Sequence, residues 1–185
     1  MTPRPTTPRI EPIENADDEA AEILAGALTH DGTPLNVFGV LAHQPKLLKR
    51  FNLFGGYLLN KGLLPPRERE IVILRIGWLA RAEYEFGQHT ILGRDAGLRD
   101  DEILRLTRPV DEGGWSDEDR WLVLMADELA ADDCVSDETW AGLARRWSEA
   151  ELVELVVVAG FYRLVSGLLN SAGVQREAGV PGFPD

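Results

Sequence analysis

Apolar residues recur at three- and four-residue spacing along most of this chain, which is the pattern of helices with one buried face. No segment shows the strict alternation of apolar and polar residues that predicts a β-strand. Prolines, glycines and short polar runs separate the periodic segments and mark turns between helices. We therefore predict an all-α fold, a single-domain bundle of about eight or nine helices.

Capping residues set the predicted starts of several helices. Ser148 and Glu151 form a capping box ahead of the longest apolar helix. Asn36 is a candidate N-cap for the short helix NVFGVLAHQ, and Pro66 suits the first position of a later helix. The segment HDGTP is predicted to be a break between the first two helices.

The two ends of the chain show little periodicity. Residues 1–15 contain four prolines and are predicted to form an extended arm. Residues 16–175 are predicted to form one helical domain, and residues 176–185 a C-terminal tail. The length of 185 residues suffices for one domain with a genuine hydrophobic core.

The composition is that of an acidic soluble protein. Hydrophobic residues make up 44% of the chain, charged residues make up 27%, and the net charge at pH 7 is −12. An acidic surface disfavours nucleic acids and anionic membranes, so we predict neither as a partner. The N-terminal sequence lacks the apolar segment of a signal peptide, and Glu154 and Arg163 interrupt the most apolar run, residues 152–169. We therefore predict a cytoplasmic protein whose last long helix is buried.

Cys134 is the only cysteine, so the chain has neither an intramolecular disulfide nor a pair of thiols for a redox cycle. Its neighbours in ADDCVSDE are acidic, which disfavours a reactive thiolate. We interpret Cys134 as structural or incidental. The glycine-rich motifs that bind nucleotides and the serine-hydrolase motif G-x-S-x-G are absent from the sequence, and we predict no cofactor.

Candidate chemistry is concentrated in residues 67–98, which are predicted to form a helical hairpin. Glu85 and His89 lie four residues apart on the second helix, so they share a face and can contact each other. Glu70 lies near the start of the first helix, and a turn near Arg81 would bring it close to the level of His89. Such a trio is functional if it lines a cavity; the alternative is a paired core histidine and two surface acids. Two acids and one histidine form a thin constellation for a metal, and we predict no metal site.

This stretch resembles the carboxymuconolactone decarboxylase family, which shares its fold with the alkyl-hydroperoxidase D-like proteins. The resemblance is carried by RERE-I-x-I-L-R-x-x-W, by E-Y-E-F-G-Q-H and by the following A-G-L, and it is clearest over residues 36–105. In the peroxidase branch of that fold an acid precedes the motif C-x-x-C-x-x-x-H. Here Glu70 and His89 match the acid and the histidine, whereas the cysteine positions hold Ala82 and Glu85. The resemblance is therefore to a cysteine-free branch.

The resemblance implies a cofactor-independent lyase of aromatic catabolism. Members of the family act on a small carboxylated lactone, which loses CO₂ and is reprotonated to an enol-lactone. It implies that His89 delivers or relays the proton, that Glu85 tunes His89 and that Glu70 completes the relay. The predicted substrate-binding residues are Tyr84, Asn36, His43, Arg75 and Arg81, the two arginines being candidates for holding substrate carboxylates. Packing for Tyr84, an N-cap role for Asn36 and a helix-end cation for His43 remain the plainer alternatives.

Other functions fit parts of the same pattern. Isomerisation or dehydration of a lactone or enone would use the same proton transfer. A peroxidase-type antioxidant protein would need a nucleophilic thiolate, which the motif lacks. A non-catalytic protein would keep the pocket for a small hydrophobic ligand. Relatives assemble into trimers or hexamers, so the resemblance also implies a homo-oligomer.

A weak internal echo relates the last long helix to the first helix of the hairpin. Aligning the two places Glu154 on Glu70 and Tyr162 on Trp78, and the second copy has no equivalent of His89. Duplication and chance similarity of two apolar helices both account for this echo.

Overall fold

The computed structural model describes residues 2–184. This part of the chain contains nine α-helices, one short 3₁₀ helix and one two-stranded hairpin. The helices are α1 (Asp18–Ala25), α2 (Asn36–Leu41), α3 (Pro45–Asn60), α4 (Pro66–Leu79), α5 (Glu83–Asp95), α6 (Asp100–Arg105), α7 (Asp117–Asp132), α8 (Asp137–Leu143) and α9 (Glu149–Ala172). The 3₁₀ helix is Val110–Glu112, and the strands are β1 (Thr29–His30) and β2 (Thr33–Pro34). The predicted all-α fold is confirmed.

The antiparallel β1–β2 hairpin lies where the sequence predicts only a break between helices. Its turn residues, Asp31 and Gly32, both have positive φ, at 50° and 79°. Asp-Gly is favoured in such tight hairpin turns because both central positions need left-handed backbone. Strands of two residues are too short to produce an alternating pattern, so hydrophobic periodicity could not predict this hairpin.

Capping residues begin the helices as predicted, with one exception. In the Ser148–Glu151 capping box, the Glu151 carboxylate accepts from the Ser148 N–H at 2.8 Å, and Ser148 Oγ accepts from the Glu151 N–H at 3.4 Å. The N-cap prediction for Asn36 is wrong, because Leu35 is the N-cap and Asn36 is the first helical residue. The Asn36 side chain is used elsewhere, since its Nδ2 donates to the Gln175 carbonyl at 2.9 Å.

Residues 2–61 and 168–180 form one compact unit of the chain. In this unit the N-terminal arm is hydrogen-bonded to α2 of the same chain, since the Ile13 N–H donates to the Gly39 carbonyl at 3.1 Å. A Cβ on Gly39 would lie 2.7 Å from the Cβ of Pro12, so this position must be glycine for the arm to lie against α2.

Residues 62–167 and 181–184 form the second unit, which contains α4 to α8 and most of α9. The predicted hairpin consists of α4 and α5, and Arg81 turns the chain between them with a φ of 53°. Left-handed backbone is uncommon for a residue with a side chain and reflects the tightness of this connection. The fully buried side chains of this unit include Ile71, Ile73, Leu74, Phe86, Leu106, Leu122, Met125, Leu143 and Leu155.

Two arginines tie α4 to the helices that follow it. Arg67 donates to Glu102 at 2.6 Å and to Asp119 at 2.9 Å. Arg75 donates to both carboxylate oxygens of Asp127, at 2.5 and 2.8 Å. Bidentate arginine–carboxylate pairs of this kind are geometrically specific as well as strong, so they fix the position of α4 within the unit.

Within residues 2–184, α9 is the helix that is long and apolar enough to cross a membrane. Of its most apolar stretch, 56% is buried inside the protein, as in a core helix. One of the charges that interrupt it, Glu154, accepts from the N–H of Leu63 at 2.8 Å and from that of Leu64 at 3.2 Å. The buried carboxylate of α9 therefore holds the segment that leads into α4.

Candidate functional site

Glu70, His89 and Glu85 meet between the helices of the α4–α5 hairpin. His89 Nδ1 lies 2.6 Å from Glu70 Oε2, and His89 Nε2 lies 3.1 Å from Glu85 Oε1. The exposed fractions of the three side chains are 0% for Glu70, 6% for Glu85 and 7% for His89. The imidazole is thus held between two carboxylates in a nearly dry environment.

The geometry of the hairpin accounts for this meeting. Glu85 and His89 are one turn apart on α5 and therefore share a face. Glu70 lies in the second turn of α4. Gly93, one turn after His89, allows α5 to approach α4 closely, since a Cβ on Gly93 would lie only 3.3 Å from Cδ1 of Leu74 on α4.

Two further side chains border the trio. Arg69 Nε donates to the second Glu70 oxygen, Oε1, at 3.2 Å, and the Arg69 side chain is 11% exposed. Tyr162, from α9, sets its ring edge-on to the His89 imidazole, with ring centroids 4.8 Å apart. Sequence reasoning missed both roles, because Arg69 resembles a surface charge beside an acid and Tyr162 is distant in sequence. The alignment of α9 with α4 singles out Tyr162, but it gives no sign of a contact with His89.

The two carboxylates control the protonation of His89. Burial disfavours the imidazolium, but the charge and hydrogen bond of Glu70, with those of Glu85, outweigh it and raise the pKa of His89 to about 10. His89 is therefore protonated at neutral pH, with its Nδ1–H donating to Glu70 and its Nε2 paired with the carboxylate of Glu85. Burial and the charges of Glu85 and Glu70 also raise the pKa of the Tyr162 hydroxyl well above its usual range, so Tyr162 is neutral.

The two contacts of His89 with carboxylates are unequal. The hydrogen bond to the fully buried Glu70 is 2.6 Å long, whereas the ion pair with Glu85 has a separation of 3.1 Å. Shorter charge-assisted bonds are stronger, so Glu70 anchors the imidazolium and Glu85 is the partner that a ligand can displace. The arrangement can supply one proton to a bound molecule, from His89 Nε2 directly or through Glu85.

The other predicted site residues of this unit have different surroundings. Tyr84 is buried at the start of α5, with 5% of its surface exposed, and Arg81 is exposed in the α4–α5 turn. Arg75 is buried and, besides its pair with Asp127, donates to two backbone carbonyl groups that follow α6, at 2.6 and 2.8 Å. A substrate carboxylate would have to compete with these protein oxygens for the Arg75 guanidinium.

Asn36 and His43 belong to the unit that contains α2 and α3. Asn36 donates to the Gln175 carbonyl, and His43 Nε2 lies 2.9 Å from the carbonyl oxygen of Glu11. Both side chains thus hold terminal segments of the chain on that unit. Their role in substrate binding stays a prediction.

The described residues offer little support for a metal site or for thiol chemistry. Across residues 2–184, no group of three or more His, Cys, Asp and Glu side chains is arranged to hold a metal ion. Both ring nitrogens of His89 are engaged by carboxylates, which a metal would have to displace. Cys134 is exposed in the α7–α8 connection, with its Sγ 3.7 Å from the Val135 carbonyl oxygen. The side chains best placed for chemistry are therefore the buried trio with Arg69 and Tyr162.

Comparison with known proteins places the trio inside a family match. Residues 45–128 match the model of the Carboxymuconolactone decarboxylase family. The matched region contains Glu70, Glu85 and His89 and ends before Tyr162. Among curated proteins, none matches this sequence.

Several solved structures are similar in fold. An uncharacterised peroxidase-related protein from Silicibacter sp. TM1040 has a TM-score of 0.82 at 15% identity, with 100% of both chains covered. An uncharacterised peroxidase-related protein from Ralstonia eutropha JMP134, described as an alkylhydroperoxidase AhpD core, has a TM-score of 0.76 at 17% identity, with 88% of this chain and 87% of that chain covered. A single-substitution variant of the debrominase Bmp8, in complex with 2,3,4-tribromopyrrole, has a TM-score of 0.78 at 14% identity, with 94% of each chain covered. At these identities the likeness establishes an AhpD-like fold.

Proposed function

We propose that this protein, whose residues 45–128 match the model of the Carboxymuconolactone decarboxylase family, is a cofactor-independent enzyme that transfers a proton to a small carboxylated lactone or related enone. The observation that carries the proposal is the buried imidazolium of His89 between the carboxylates of Glu70 and Glu85. Proton transfer to a reacting carbon requires a positioned donor, and the protein walls around this trio keep water from competing with it.

Decarboxylation is the specific reaction in this proposal. The bond between the ring carbon and the carboxylate carbon breaks, CO₂ leaves, and the electron pair passes through the ring double bond to the lactone carbonyl as an enolate. The proton from His89 then adds to the ring carbon next to that carbonyl and gives an enol-lactone. Solvent returns a proton to His89. Because the conjugated carbonyl accepts the electrons, the protein has only to position the substrate and supply the proton.

The residues of the trio have distinct roles in this proposal. Glu70 anchors the imidazolium through the shorter hydrogen bond, and Glu85 moves aside or relays the proton from Nε2. The ring of Tyr162 closes one side of the imidazole. Isomerisation or dehydration of a lactone or enone would use the same donor and differ only in the bond that breaks.

Turnover of a panel of γ-lactone carboxylic acids tests this function. Purified protein is mixed with each acid, and the release of CO₂ and the loss of the conjugated absorbance are followed. We expect catalysed conversion of at least one member of the panel. Binding of these acids without conversion of any of them would instead support the non-catalytic ligand-binding protein.

Replacement of Cys134 by serine is expected to leave activity unchanged and to alter the free energy of unfolding by less than about 0.5 kcal/mol. The thiol is exposed in a loop, and its nearest polar partner is a neighbouring carbonyl group. Steady-state rates and urea unfolding of the variant check this expectation. Iodoacetamide treatment of the wild-type protein provides a parallel measurement. Loss of activity on alkylation would support the peroxidase-type alternative.

A further inference from the structure

Arg69 differs from the other arginines of α4 in how its guanidinium is used. Arg67 and Arg75 each bind carboxylate oxygens through more than one nitrogen. Arg69 makes one hydrogen bond, from Nε to Glu70 Oε1, and its two terminal nitrogens have no hydrogen-bond partner within residues 2–184. The side chain is only 11% exposed. A guanidinium this enclosed is normally paired, so its unused donors indicate a place for an external anion.

The Tyr162 hydroxyl is a second unused donor in the same cluster. The Tyr162 side chain is buried, and its hydroxyl makes no hydrogen bond to any other residue in the described part of the chain. Its ring contacts the His89 imidazole edge-on, and its hydroxyl lies within the electrostatic influence of Glu85, Glu70 and Arg69. The hydroxyl is neutral and therefore available to donate.

We propose that Arg69 and Tyr162 form a carboxylate-binding subsite that holds a small anionic molecule beside His89. The identity of that molecule as a lactone acid rests on the proposed function, whereas the binding of a carboxylate does not. Two parallel N–H groups of a guanidinium match the two oxygens of a carboxylate, and a phenolic O–H adds a third hydrogen bond.

The charges of the site permit an anionic ligand. The two carboxylates and the imidazolium of the trio sum to one negative charge, which Arg69 neutralises. The whole chain carries a net charge of −12, so an anion needs a local cation with free donors in order to bind. Ion pairing stabilises a carboxylate against loss of CO₂, so the carboxylate at Arg69 is one that the reaction retains. Arg69 thus takes the role that the sequence suggests for Arg75.

Binding of 2-furoate, a planar five-membered ring with one carboxylate, tests the subsite. Its neutral methyl ester is the reference ligand, and titration calorimetry gives both dissociation constants. We expect Arg69→Gln to weaken furoate binding by about ten- to hundredfold, as loss of a charge-assisted pair does, while ester binding is unchanged. Tyr162→Phe keeps the ring against His89 and is expected to weaken furoate several-fold. Arg94→Gln is the matched control, because Arg94 is half exposed and pairs with Asp100 on the surface.

Three outcomes would overturn the subsite. The first is wild-type protein that shows no preference for furoate over the ester. The second is a folded Arg69→Gln variant with unchanged furoate affinity or with equal losses for both ligands. If Arg69→Gln does not fold, unchanged furoate affinity in both Arg69→Lys and Tyr162→Phe decides against it.

The subsite and the proposed function can fail separately. If furoate binding depends on Arg69 but no lactone acid is converted, the result supports the subsite and contradicts the proposed function. Conversion of a lactone acid with an unchanged KM in Arg69→Gln removes the subsite and leaves the function. A raised KM with a nearly constant kcat in that variant supports both, because it locates the loss in binding rather than in proton transfer.

Discussion

Replacement of His89 by glutamine is expected to lower kcat for the proposed reaction by about 10²- to 10⁴-fold, the usual contribution of a positioned proton donor. Glutamine is chosen because its amide can still donate to Glu70, whereas alanine would leave the buried Oε2 of Glu70 without its hydrogen-bond partner, at a cost of about 1–3 kcal/mol. The measurement is kcat under saturating substrate, with thermal unfolding as the check on folding. His30→Gln is the matched control, since His30 contacts the Ala178 carbonyl in the other unit, and its activity should equal that of the wild type.

A second pair of variants tests whether Glu85 participates in the same step. Glu85→Gln removes the carboxylate that lies 3.1 Å from His89 Nε2, whereas Glu83→Gln makes the same change at an exposed position two residues earlier. We expect a fall in kcat for Glu85→Gln and none for Glu83→Gln. A folded His89→Gln protein that keeps wild-type kcat would falsify the role of the imidazolium, whatever the result at Glu85.

Protein stability is expected to fall steeply as the pH rises from about 6.5 towards 10. Below pH 6.5 His89 is protonated in both the folded and the unfolded chain, and the stabilisation by Glu70 and Glu85 is fully present. Between about pH 6.5 and 10 the unfolded chain loses this proton while the folded chain keeps it. The free energy of unfolding then decreases by about 1.4 kcal/mol for each pH unit, up to a total of about 5 kcal/mol. The stabilisation is lost once the pH exceeds the folded-state pKa.

Denaturant unfolding at intervals from pH 6 to 9.5 measures this slope. The range ends at pH 9.5 because tyrosine ionisation in the unfolded chain contributes above it. Glu70→Gln is the reference protein, since it removes the charge that contributes most to raising the pKa of His89. The difference in free energy of unfolding between the wild type and Glu70→Gln should become smaller as the pH rises. If the free energies of the two proteins change with pH in parallel, His89 is not held as an imidazolium.

The features that depend on nearby residues could be predicted from the sequence. The contact between Glu85 and His89 follows from helical spacing alone, and the Ser148–Glu151 capping box follows from a local pattern. Glu70 needed one further step, the recognition that the two helices form a hairpin. The predicted turn near Arg81 supplied that step.

The features that depend on long-range packing could not be predicted. Arg69 and Arg75 are both arginines of α4, and the sequence does not show that one pairs with Asp127 while the other faces Glu70. Tyr162 reaches His89 only through the packing of α9 in the same unit. A local sequence pattern does not show which distant residue a buried guanidinium or aromatic ring will contact. For this reason the sequence identified the buried trio but not the arginine and the tyrosine that border it.

The family match stops at residue 128, and two contacts that complete the site come from α9, after that limit. Glu154 holds the backbone of Leu63 and Leu64, and Tyr162 borders the imidazole of His89. A truncated chain that ended at residue 128 would retain both acids and the histidine but lose the hydrogen bonds from Glu154 to the segment that precedes α4. Grafting residues 45–128 onto another protein would therefore transfer the two acids and the histidine without the Tyr162 ring that packs against the imidazole.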